Sequence, residues 1–170
     1  MTAFGPLAVM AIVLVVSGAF KIADPRSSED MLRALWLGST PAAARTLGAA
    51  EICLGAATVL SAGRLLAAAL ASVYLVFAIA SLRLRRTAPE RSCGCFGSRS
   101  TPPSSLHVAV DLGGCAAGAA AAATGAPGAI GGWWRLPYAG VPEAIAIAVA
   151  AWLVVVVMTT LPATLAAARR

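Results

Sequence analysis

Five apolar runs separated by polar turns set the pattern of this chain, at about residues 3–22, 42–62, 65–83, 105–124 and 143–166. Each is close to the roughly 20 residues a helix needs to cross the hydrocarbon of a bilayer. The first run holds no charge before Lys21, and Asp24 and Pro25 close it. A single carboxylate, Glu51, interrupts the second, whereas Leu65–Leu82 carries no charge. Gly63 and Arg64 make the tight turn between these two. The fourth run contains His107 and Asp111, then fades into an alanine- and glycine-rich tail whose small side chains suit close helix packing in a membrane. The pattern predicts an all-α fold, a polytopic transmembrane helical bundle in which residues 1–170 form one integral membrane domain.

Shorter patterns refine this picture. Between the first two runs, Met31, Leu32, Leu35 and Trp36 recur at helical spacing opposite charged positions. That spacing predicts a short helix lying at the membrane interface, with an ordered loop as the alternative. Trp133, Trp134 and Tyr138, ahead of the fifth run, read as an interfacial aromatic belt. The N-terminal run lacks the basic flank of a secretion signal, so it reads as a retained first span.

Composition agrees with the pattern. Apolar residues make up 59% of the chain and charged residues 12%, with a mean hydropathy of +0.84. Soluble domains carry about 25% charged residues, so lipid must be the main solvent here. The net charge of +6 would suggest nucleic acid in a soluble protein. The arginines instead sit between apolar runs, without a basic stripe interleaved with aromatics. The predicted partner is therefore the lipid bilayer with its anionic headgroups, and no nucleic acid. With five spans, Lys21, Arg26, Arg33, Arg45, Arg83, Arg85, Arg86, Arg91, Arg99, Arg169 and Arg170 share one side, leaving Arg64 and Arg135 on the other. The positive-inside rule then predicts a multi-pass cell-membrane protein with its N-terminus outside, its C-terminus inside and the third loop cytoplasmic.

That third loop carries the sharpest chemical feature, Cys93-Gly94-Cys95-Phe96-Gly97. Two thiols one residue apart can close only a small, strained disulfide ring, and strained disulfides are readily reduced. Glycine between them relieves the backbone, and the flanking Arg91 and Arg99 favour thiolate. Three readings stand: a redox pair, a metal site with His107, or an inert tight turn. Thiolates and imidazole suit zinc or copper, yet the C-x-C-x11-H spacing is not a usual zinc pattern. The pattern assigns no metal ligands, identifies no cofactor and specifies no quinone.

Other residues cluster around this loop. Cys53 and Cys115 both lie about 15 Å into their spans from the same side, a matched depth that makes them a candidate second pair. Free cysteine is also an ordinary small core residue. His107, Asp111 and Cys115 recur at i, i+4 and i+8, which predicts one stripe on the fourth span. Charge in hydrocarbon is costly, so His107 and Asp111 should face the bundle interior, and Glu51 carries the same cost. Lys21 can pair with Glu51 or snorkel to the headgroups. One expectation is a polar pocket under the thiol loop, with Glu51, His107 and Asp111 as proton carriers. The competing one is a network that only holds helices together.

The ordered set SGAFKIADP, AAEICLG and CGCFG resembles the MauE family of membrane proteins, related to the wider DoxX-like group. The resemblance spans about residues 5–125, a four-helix unit, and leaves the loop and fifth helix over 126–170 as an addition. It implies a role in methylamine metabolism: maturation of the disulfide-rich small subunit of methylamine dehydrogenase, with a thioredoxin-like protein or exported client as partner. It also implies Cys93 and Cys95 as the working thiols of a membrane thiol-disulfide oxidoreductase. The alternatives are a non-catalytic assembly factor for a partner subunit and a metal-handling protein. A cytoplasmic loop conflicts with disulfide formation outside the cytoplasm. Three readings would reconcile them: electrons passing outward through Cys53 and Cys115, a loop folded down into the bundle, or a span count other than five.

Overall fold

The computed structural model describes residues 4–35, 40–61, 63–97, 101–125 and 140–167. These residues form helices and connecting turns, without strands. The helices are α1 (Phe4–Ala23), α2 (Arg26–Ala34), α3 (Pro41–Ser61), α4 (Arg64–Thr87), α5 (Ser105–Thr124) and α6 (Val141–Ala167). All but α2 are long and apolar enough to cross a bilayer, so the chain is a multi-pass membrane protein. Trp36, Trp133, Trp134, Tyr138, Arg99, Arg135, Arg169 and Arg170 lie outside the described residues.

The boundaries follow the residues at them. Helix α4 continues to Thr87, beyond the apolar run, because arginine is a good helix former and its stem carries the charge outward. Helix α2 forms where amphipathic spacing predicts it, burying Ser28, Met31 and Leu32.

Helix α1 is the hub, packed on α3, α5, α6 and α2, while α4 lies chiefly along α5. Glycines let these helices approach. A Cβ at Gly48 would stand 2.6 Å from the Gly18 carbonyl oxygen, and one at Gly55 would stand 2.6 Å from that of Ala11. Backbone therefore rests on backbone along α1 and α3, as small residues allow in membrane bundles. Across the α4–α5 seam, Gly114 faces the Tyr74 ring and Gly118 faces Ala67 and Ala71. The Tyr74 hydroxyl donates to the Met10 carbonyl at 2.7 Å and ties α4 to α1. Helix α6 turns Ile147, Ala151 and Met158 inward, leaving Val149, Trp152 and Leu153 outside for lipid.

A buried thiol turn as candidate functional site

The site begins with two charges that the helices bury. The contact of α1 with α3 brings Lys21 Nζ to 2.9 Å from Glu51 Oε2, with both residues almost fully enclosed. Lys21 also donates to Ser17 Oγ at 2.7 Å and sits 5.5 Å above the centre of the Phe77 ring. Lysine therefore pairs rather than snorkels. Glu51 Oε1 is buried without a hydrogen-bond partner among the described residues.

Over this pair folds the loop with the two thiols, and it folds inward. Phe96 is 1% exposed and meets Phe20 edge to face at 6.1 Å, beside Val13 and Met158. Irregular backbone at membrane depth survives only where protein groups satisfy it. Here the Ser17 hydroxyl donates to the Cys95 carbonyl at 3.0 Å and the Ser28 hydroxyl to the Gly94 carbonyl at 2.8 Å. The Cys93 amide donates to the Thr101 carbonyl at 3.1 Å, and the hydroxyls of Ser27 and Ser92 are 2.6 Å apart. Between the cysteines, Gly94 has φ +74°, and a Cβ there would lie 2.9 Å from Met31 Cβ on α2. Only glycine fits both the left-handed backbone and the gap.

All four cysteines are free thiols. Cys93 is 2% exposed, whereas Cys95 is half-buried. His107, three residues into α5, stands beside Cys93, and its imidazole acts on the Cys93 thiol. The backbone amide of Ser104 donates to His107 Nδ1 at 3.3 Å, and the Ser104 hydroxyl lies 2.9 Å from the same nitrogen. A nitrogen that accepts from an amide carries the lone pair, so in neutral His107 the proton sits on Nε2. The hydrogen bond from the Cys95 thiol holds the Cys93 thiol well below its ordinary value; burial opposes this and His107 reinforces it. The same Cys93–Cys95 bond and burial push Cys95 well above its own. Hydrogen bonding to the charged form is what favours thiolate at Cys93.

Asp111, one turn along α5, is 3% exposed and accepts from the Ser81 hydroxyl at 3.1 Å. With Cys95, Ser17, Phe77 and Met158 it lines a cleft of about 10 Å³, room for about one water molecule. The structure thus gathers Lys21, Glu51, His107 and Asp111 around the thiol turn.

The other two cysteines take different faces. Cys53 is exposed on α3, while Cys115 is half-buried against the apolar core. Helices α3 and α5 pack chiefly on α1 and α4, not on each other. The buried stripe of α5 runs His107, Asp111, Gly114, Gly118 and Ala121, bypassing Cys115. At 3.6 residues per turn, i+7 returns to within about 20° of its start, while i+8 stands about 80° away. Among the described residues, no three His, Cys, Asp or Glu side chains converge in a way that could hold a metal ion.

A family model described as methylamine utilisation protein MauE matches residues 2–126, most of the chain and the whole thiol turn with its neighbours on α1 to α5. The chain belongs to the MauE family. No curated protein and no solved structure matches it. Within this MauE-family chain the match ends before α6, whose Met158 carbonyl accepts from the Thr101 hydroxyl at 3.2 Å and so helps close the site. Sequence reasoning did not single out Ser17, Ser28, Ser81, Thr101 or Ser104. A signal existed for Ser17, which stands four residues before Lys21 on one helix face. Among the described residues, the groups that lower the Cys93 thiol are Cys95 and His107; Arg99 lies outside them.

Proposed function

We propose that this MauE-family protein is a membrane thiol-disulfide redox component, working through Cys93 and Cys95 in the maturation of a cysteine-containing exported client. The observation that carries this reading is the thiol turn itself, packed into the bundle with its carbonyls held by serines and Cys93 set against His107. An inert turn has no need of a hydrogen-bonded imidazole at one sulfur and a carboxylate-lined cleft at the other. The family description associates its members with methylamine utilisation. We carry over the general role and leave the client defined by its chemistry, a pair of thiols to be oxidised.

Exposure and acidity divide the work between the sulfurs. Thiol exchange favours attack on the accessible sulfur and departure of the more acidic one. In the oxidised protein, a client thiolate attacks Cys95 Sγ, the Cys93–Cys95 bond breaks, and the electron pair stays on Cys93 beside His107. The second client thiol, once deprotonated, attacks the client sulfur of the mixed disulfide and releases Cys95. Two protons leave the client. One returns to Cys95, with Asp111 as its carrier across the cleft, and the other passes to water. His107 and Glu51 are further candidate carriers. The client ends oxidised by two electrons, and the reverse sequence passes these to the disulfide of a thioredoxin-like partner.

The test compares thiol content of purified protein in oxidising and reducing buffers, with peptides mapped after alkylation. A difference of two thiols, located at Cys93 and Cys95, is expected. Identical labelling in both buffers would overturn the proposal. In Cys93→Ser the Cys95 thiolate can still attack the disulfide of the thioredoxin-like partner and expel one of its thiolates, so a mixed disulfide between Cys95 and that partner should accumulate for want of a second thiol to resolve it. If both cysteines can be changed to serine while client maturation persists, the protein is a non-catalytic assembly factor.

A further inference from the structure

A lysine with 1% exposure inside a membrane bundle calls for an explanation beyond holding α1 to α3. That contact already rests on Gly18, Gly48 and Gly55, whose backbones meet directly. Buried ion pairs are often no better for stability than apolar residues of the same size. What the ammonium adds is a hydrogen-bonded chain: Lys21 Nζ donates to Ser17 Oγ at 2.7 Å, and the Ser17 hydroxyl donates to the Cys95 carbonyl at 3.0 Å. A hydroxyl that accepts from a cation becomes a stronger donor, since linked hydrogen bonds polarise one another. Glu51 Oε2 holds the ammonium from the other side at 2.9 Å.

We propose that Lys21, held by Glu51 and acting through Ser17, is a positioning residue that fixes the thiol turn and biases the Cys93–Cys95 pair toward its reduced form. The inference rests on the redox reading above. A positive charge near the pair stabilises sulfur that carries negative charge, and it favours ionised Cys95, against the opposing charges of Cys93 and Asp111. Reduction creates such sulfur; oxidation removes it. Glu51 tempers the effect by balancing the ammonium. Changing either member of the ion pair therefore has a sign that depends on which charge is lost, whereas a purely structural pair would give the same sign for both.

The experiment equilibrates the full-length protein in detergent or nanodiscs with graded ratios of reduced and oxidised dithiothreitol, then quantifies Cys93 and Cys95 thiols. Relative to wild type, Lys21→Met and Ser17→Ala should each make the disulfide harder to reduce, Lys21→Met by about tenfold in the equilibrium constant, or about 30 mV for this two-electron couple. Glu51→Gln should shift it the opposite way. The neutral double variant Lys21→Met/Glu51→Gln, which leaves no unpaired charge if a single change prevents folding, should follow Lys21→Met in direction. Lys21→Arg should restore most of the wild-type value. If wild type cycles between dithiol and disulfide and every folded variant shares its equilibrium constant, the positioning role is wrong while the redox reading stands. The same holds if Lys21→Met and Glu51→Gln shift together. If wild type never forms the Cys93–Cys95 disulfide, both fall.

Discussion

At the residue scale, Cys93 and Cys95 have the same side chain and opposite acidities. Cys93 receives a hydrogen bond and Cys95 gives it, so the first proton lost from the pair leaves Cys93. Thiol alkylation follows the thiolate fraction and falls about tenfold per pH unit below the ionisation. With Cys53 and Cys115 changed to alanine, iodoacetamide should alkylate Cys93 with a midpoint below the ordinary 9.0. Because the shift is downward, reactivity persists below the pH at which an ordinary thiol loses it and falls away only as pH drops through the lowered value. Replacing His107 with Phe removes an imidazole that favours the thiolate and should move the midpoint upward. An unchanged midpoint would mean that His107 does not act on Cys93. The sequence reveals the thiols, the histidine and the carboxylates, because each is conspicuous in an apolar run. It conceals the serines that hold the turn, since serine is ordinary in loops and in membrane helices alike.

At the scale of elements, the spans were legible because each is a long uncharged or nearly uncharged run, and the short amphipathic α2 because its spacing is helical. Which faces meet was not legible. The stripe on α5 bends toward Gly114 and Gly118, a distinction between i+7 and i+8 that a list of polar residues does not reveal. Glycine position therefore makes a sharp test. At Gly48 a Cβ would stand 2.6 Å from the Gly18 carbonyl and 3.0 Å from Lys21 Cβ, whereas at Gly113 it would meet nothing within 4 Å. Gly48→Leu should destabilise the protein by roughly 1–3 kcal/mol, as overpacking does, and push Glu51 off Lys21. Gly113→Ala should be neutral or stabilise by up to about 1 kcal/mol through helix propensity. Thermal unfolding in one detergent, read by circular dichroism, compares the two. Equal effects would contradict the close α1–α3 contact.

At the scale of the whole molecule, the conflict between arginine count and disulfide chemistry takes a different form once the loop is folded inward. Ser17, which holds the Cys95 carbonyl, lies six residues before the end of α1, about 9 Å inside that end along the helix axis. Cys93 is thus enclosed by the bundle and Cys95 partly so, and α2 covers the turn through Ser27, Ser28 and Met31. The relay through Cys53 and Cys115 loses its geometry, because those thiols lie on different faces. Side and depth are therefore separate questions that a single labelling experiment can answer. Glu90 is exposed beside the turn, and Glu90→Cys in a background without other cysteines reports the side. By the positive-inside asymmetry, an impermeant maleimide should label it only after the cells are opened. Cys93 and Cys95 report the depth: a small permeant reagent should modify them, while the impermeant maleimide should stay slow even in opened membranes. Rapid impermeant labelling of both native thiols would put the turn on the membrane surface. Labelling of Glu90→Cys in intact cells would instead invert the molecule, and put the thiol turn at the outer end where exported clients fold.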